Sequence, residues 1–110
     1  MAQIYKRLGA INPSANTQTN VYVVPAATSA VISTIAICNQ GSSNASYSLI
    51  VMPTYAASAS ATDFIVRGAT VPAADTIFLT LGLTANATTV FAANTGNANI
   101  SFAIFGSEIT

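Results

Sequence analysis

Lys6, Arg7, Arg67, Asp63, Asp75 and Glu108 are all the charged side chains of this 110-residue chain, which has no histidine. Acid–base catalysis and zinc ligation draw first on imidazole, so the commonest general base and the commonest metal ligand are both missing. A glycosidase site needs two carboxylates flanking one bond. The three acids here are far apart in sequence, each beside an expected turn, strand start or terminus. Asp75, just ahead of a strand, reads as a turn residue whose side chain bonds nearby backbone donors. Asp63 and Arg67 fall on one face of an extended segment and read as a local or cross-subunit ion pair. No catalytic residue, metal ligand or cofactor site is assigned.

Cys38 is the only cysteine, which excludes an intrachain disulfide and a multi-cysteine metal site. Set in an apolar strand, it reads as a buried, inert thiol. Gly41, Gly68, Gly82, Gly96 and Gly106 are isolated breakers and make no phosphate-cradling loop. Asn44-Ala45-Ser46, Asn86-Ala87-Thr88 and Asn99-Ile100-Ser101 fit the glycosylation pattern, but chance supplies such matches in a chain this rich in Asn, Ser and Thr. The Met1–Arg7 start has two cations and no apolar segment of signal-peptide length behind them, so secretion is not expected. Lys6-Arg7 is the one dense cationic spot. Two charges neutralise too few phosphates to hold nucleic acid at physiological salt, and they suit anchoring of the first strand to an acidic patch on a partner.

Charged residues make up 5% of the chain, against roughly 25% in an ordinary soluble domain. Charge is what usually keeps monomers apart, so a surface this neutral reads as one covered by neighbouring subunits. Hydrophobic residues reach 52%, yet Ser, Thr, Asn, Gly and Pro break them up. No apolar run approaches the roughly 18–20 residues of a membrane helix. Neither nucleic acid nor membrane is an expected partner. The length fits one domain, residues 1–110.

The elements that would position these residues follow from period-two patterning and turn chemistry. Strands are predicted over Ile4–Ala10, Asn20–Val24, Val31–Asn39, Ala45–Met52, Asp63–Arg67, Thr76–Leu81, Thr88–Ala93 and Ala98–Phe105. Val31–Asn39 reads as a central strand, and with Ala45–Met52 it gives the strongest hairpin signal, across the turn formers 40–44. Tyr47, Leu49 and Val51 should share one face, with Ser46, Ser48, Ile50 and Met52 on the other. Thr54–Ala61 is low-complexity and predicts a flexible surface loop without a convincing cap. Gly68 should turn the chain, and Gly106 should end the last strand, leaving Ser107–Thr110 as a tail. About eight short strands at intervals of roughly 8–12 residues predict an all-β antiparallel sandwich, jelly-roll or immunoglobulin-like. The cysteine pair and tryptophan of antibody domains are absent.

Taken together, Met1-Ala2-Gln3-Ile4-Tyr5-Lys6-Arg7-Leu8-Gly9, Val23-Val24-Pro25-Ala26 ahead of Val31-Ile32-Ser33, Ile37-Cys38-Asn39, and Phe105-Gly106-Ser107-Glu108 resemble a group of short structural proteins of tailed bacteriophages, especially those infecting cyanobacteria and marine bacteria. The likeness spans nearly the whole chain, and its terminal segments are the more specific part. Leu83–Ala87 departs from the pattern, since such proteins often carry a Gly-Asp or Asp turn there. The resemblance implies a virion component with a β-sandwich fold, assembled in the host cytoplasm, without fixing its place on the particle, and the shortage of ionisable side chains makes a non-enzymatic role the expectation.

Within the particle, one expectation is a capsid decoration or cement protein, a homo-oligomer with a trimer favoured, docked on the major capsid protein. Another is a tail, baseplate or fibre-adaptor component docked on tail proteins. A carbohydrate-binding module contacting the host surface is a third; its platform would need exposed aromatics, and Tyr5, Tyr22, Tyr47 and Tyr55 mostly fall on strands. The residues expected to make intersubunit contacts are Ile4, Tyr5, Lys6 and Arg7 at one end of the chain, with Glu108, Ile109 and Thr110 at the other.

Overall fold

The computed structural model describes residues 3–56 and 58–110, with the side chains of Gln3, Ile4 and Leu81 lying outside what it describes. Met1 and Ala2 of the terminal motif and Ala57 of the low-complexity segment also lie outside. Eight strands run in the order β1 (Gln3–Ile11), β2 (Thr19–Val23), β3 (Ser29–Asn39), β4 (Ala45–Met52), β5 (Phe64–Val71), β6 (Thr76–Ala85), β7 (Val90–Thr95) and β8 (Ile100–Ile109). They form two four-stranded antiparallel sheets. The front sheet has the order β1-β8-β3-β6 and the back sheet β2-β7-β4-β5.

The pairing is nested. β1 pairs with β8, β2 with β7, β3 with β6, and β4 with β5. This is one long antiparallel ribbon doubled back at the β4–β5 connection. Rolling the ribbon up brings β8 beside β3 and β7 beside β4, which is the jelly roll. Of the two sandwich types expected, it is the jelly roll that forms.

The roll-up corrects the hairpin expectation. β3 and β4 do not pair, because they belong to opposite sheets, and the connection between them is a crossing. Asn39 organises that crossing from a site only 1% exposed. Its Nδ2 donates to the Ser43 and Val71 carbonyls at 2.9 and 3.1 Å, and its Oδ1 accepts from the Gly41 N–H at 2.9 Å. A period-two pattern states which way side chains face and leaves the partner strand open.

Alternation sets the core as expected. Ile32, Ile35 and Ile37 of β3 and Ile100, Phe102 and Ile104 of β8 meet Tyr47 and Leu49 of β4 and Phe91 and Ala93 of β7. Tyr47 and Phe102 touch edge-to-face across the two layers, centroids 6.2 Å apart. Two glycines act otherwise than as terminators. Gly68 sits within β5 at φ 70°, a left-handed conformation that opens a bulge without breaking the strand. Gly106 lies inside β8, where a Cβ would come within 2.0 Å of the Val31 carbonyl oxygen. The chain therefore continues as paired strand to Ile109, and the expected tail is ladder.

Candidate interaction surface

The sandwich treats its two outer faces differently. On the back sheet, Ile50, Met52, Val90 and Ala92 point away from the core yet form a second buried cluster, with Ala59 and Phe64 packed over it. The segment between β4 and β5 is the cover. Gln18 holds it, donating from Nε2 to the Ala56 carbonyl at 2.9 Å and accepting the Ala59 N–H at 3.1 Å. Asp63 closes a short 3₁₀ turn over Ala61–Asp63 by accepting from both the N–H and hydroxyl of Ser60 at 3.0 Å. The segment is thus a pinned and capped lid on the sheet, which corrects the expectation of an uncapped loop. Asp63 and Arg67 go separate ways, since the Arg67 guanidinium lies 4.4 Å from the Phe64 ring centroid.

No such cover lies on the front sheet among the described residues. Strand register lays out its outer face in rows. Ala10, Ala103, Ala36 and Phe78 run straight across β1, β8, β3 and β6. Arg7, Phe105, Thr34 and Thr80 form the row on one side, and Ser101, Cys38 and Thr76 the row on the other. Small side chains in the middle leave an open depression of about 400 Å³, floored by Ala36, Cys38, Ser101 and Ala103 with Arg7 at its rim. Elsewhere on the same face Tyr5, Phe78 and Phe105 are 76%, 68% and 38% exposed. Cys38 is half-buried here and not in the core, because Ile37 takes the inward position and the next residue must face out. Arg7 is the one charged side chain in these rows.

The two terminal runs expected to make contacts are neighbours in the fold. Ile4 lies opposite Glu108, Tyr5 opposite Ser107, Lys6 opposite Gly106, and Arg7 opposite Phe105, while Ile109 faces Gln3 and Thr110 follows exposed. Lys6 and Glu108 spend their charges on each other at 3.2 Å. The Tyr22 hydroxyl, arriving from the back sheet, donates to Glu108 Oε2 at 2.6 Å. That hydrogen bond is the main reason the Glu108 carboxyl is held below its usual range; burial opposes it and Lys6 assists. Burial, then the carboxylate, pushes the Tyr22 phenol well above its own range. The cluster rivets β1, β2 and β8 together at one end of the sandwich. Tyr5, Arg7 and the exposed Thr110 remain on the surface.

Asp75 does as expected, its Oδ1 accepting the Thr76 N–H at 2.8 Å. Tyr22 and Tyr47 are buried, whereas Tyr5 on the front sheet and Tyr55 in the back-sheet lid are exposed on different sides of the sandwich. Among the described residues no three His, Cys, Asp or Glu side chains gather to hold a metal ion. The trough escaped sequence reasoning, because only the cross-strand register brings Ala10, Ala36 and Ala103 into line. Compared with protein-family models and with curated proteins, the chain finds no match.

Proposed function

We propose that this protein is a non-enzymatic structural unit of a tailed-phage particle, self-associating and docking on the shell as a decoration or cement protein. One observation carries the reading. Among the described residues, the chain's own lid covers the back sheet, while the outer face of the front sheet has no such cover, holds Arg7 as the one charge of its central rows and exposes three aromatics. Monomers do not ordinarily leave so much neutral sheet open, and a face of this kind marks a protein contact. The resemblance of the terminal motifs to phage structural proteins supplies the setting. In this setting Arg7 is the orienting charge at the trough, and Phe78 and Phe105 are the apolar anchors, a residue type enriched at interface centres.

The test is localisation on intact particles by electron microscopy with a labelled chain. Label at regular positions on the shell is the expected result. Label confined to the tail would move the protein to the adaptor role, and absence from purified particles overturns the reading. Glycan-array binding with no protein partner would favour a carbohydrate-binding module instead.

A further inference from the structure

Four strands end the two sheets, and three of them are guarded. β1 carries Lys6 and Arg7 and a register break after Arg7. β2 has five residues and a break between Asn20 and Tyr22. β5 carries Arg67, two register breaks and the positive-φ Gly68. Charges, shortness and bulges are the devices that stop edge strands from pairing with other chains. β6 differs. Its Thr76–Thr80 run is in unbroken register with β3 and bears no charge, and its irregularity comes only after Thr80.

Hydrogen-bond geometry fixes which way that edge points. The Asn39 N–H donates to the Asp75 carbonyl at 2.9 Å, so these opposed residues form a hydrogen-bonded pair. Antiparallel pairs alternate, so Ile77 and Leu79 bond to β3 while Thr76, Phe78 and Thr80 turn their N–H and C=O groups outward. The Thr76 N–H agrees, since it is taken by the Asp75 side chain. The outward-facing residues Thr76 and Thr80 lie symmetrically about Phe78, and the Thr76 N–H would exchange its Asp75 side-chain partner for a carbonyl of the added strand.

We propose that two copies of this chain join edge to edge through β6, antiparallel and centred on Phe78, giving one continuous sheet with four strands from each copy. This rests on the self-association reading above and gives it a surface. The second copy is the fitting occupant because the strand is its own complement. In that register Phe78 meets Phe78 of the other copy on the outer face. On the inner face Ile77, which is only half-buried, meets Leu79 of the other copy, itself half-buried, so both complete their burial. No like charges are opposed, as Asp75 of each copy lies beyond opposite ends of the ladder. Pairing a strand with its own copy is a two-fold operation, so this contact builds pairs and not the trimer favoured on sequence grounds.

The test uses the whole chain and two variants. Thr80→Pro removes an outward N–H and leaves the β3 ladder intact, which edge positions tolerate. Phe78→Cys, made with Cys38→Ser, places two thiols across the two-fold at a Cα separation that suits a disulfide, about 5.5 Å. Sedimentation should show a dimer for the wild type and a monomer of unchanged circular dichroism for Thr80→Pro. Mild oxidation should link the Phe78→Cys chains almost completely into covalent dimers. A wild-type oligomer that survives Thr80→Pro and gives no Phe78→Cys dimer overturns the β6 contact and leaves self-association standing, as does a trimer. A wild type that stays monomeric at millimolar concentration overturns both.

Discussion

At the scale of single residues, the Tyr22–Glu108–Lys6 cluster sets how stability depends on pH. Glu108 titrates lower in the folded chain than in the unfolded one. Its contribution is therefore whole above the unfolded value, about 4.3, and drains away as pH falls through the folded value. Tyr22 is displaced the other way. Its contribution is whole below about pH 10 and is lost as pH rises further. Urea unfolding should show a plateau with an acid limb and an alkaline limb. Tyr22→Phe should cost about 1–2 kcal/mol on the plateau and flatten the acid limb. It should flatten the alkaline limb only in part, since burial also raises Tyr47. An unchanged acid limb would show that Glu108 is not held by Tyr22. Gly106→Ala tests close approach, because its methyl must displace backbone; a loss of about 1–3 kcal/mol is expected in the same assay. None of this was legible in the sequence. Tyr22 and Glu108 are far apart along the chain, and glycine punctuates turns as readily as it admits close contacts.

At the scale of elements, the strands themselves were legible because each carries its alternation within itself. Ala45–Met52 even displayed both of its fates, Leu49 inward and Ile50 under the lid. What alternation omits is the partner, and so β3 and β4, neighbours in sequence, read as a hairpin. Asn39 decides the crossing by ordering residues 40–44 against β5 as well as against its own strand. Asn39→Ala leaves the buried Val71 carbonyl, the part-buried Ser43 carbonyl and the Gly41 N–H without their partner. It should cost about 2–3 kcal/mol in urea unfolding, and hydrogen exchange should speed up at Gly41 before it does so at the centre of β3. Equal acceleration along all of β3 would mean that the crossing is held by something other than this side chain. The lid makes the complementary case. Its Ala and Ser composition advertised a loop, while the anchor that pins it, Gln18, lies in a different connection and gave no local sign.

At the scale of the whole molecule, a chain with 5% charged residues has one sheet covered by its own lid and one without such a cover among the described residues. For the association proposed above, those two facts set the response to salt. In the proposed assembly, contacts by the front face and the β6 edge would involve almost no charge, so Debye screening has little to act on. Dissociation measured by sedimentation should therefore barely change between low and moderate sodium chloride. Sulfate, which is excluded from protein surface, should tighten it. The front face and the edge can also be separated. Ala103→Arg puts a long cation into the floor of the trough on β8, two strands from the β6 edge, without touching the core side of the sheet. If the proposed dimer and particle docking hold, the variant should keep the wild-type melting temperature and the dimer, and lose binding to particles from which the protein has been stripped. If rebinding persists undiminished, the trough is not the docking face. If association falls steeply with sodium chloride, the contact is carried by the few charges after all, with Arg7 the first to examine.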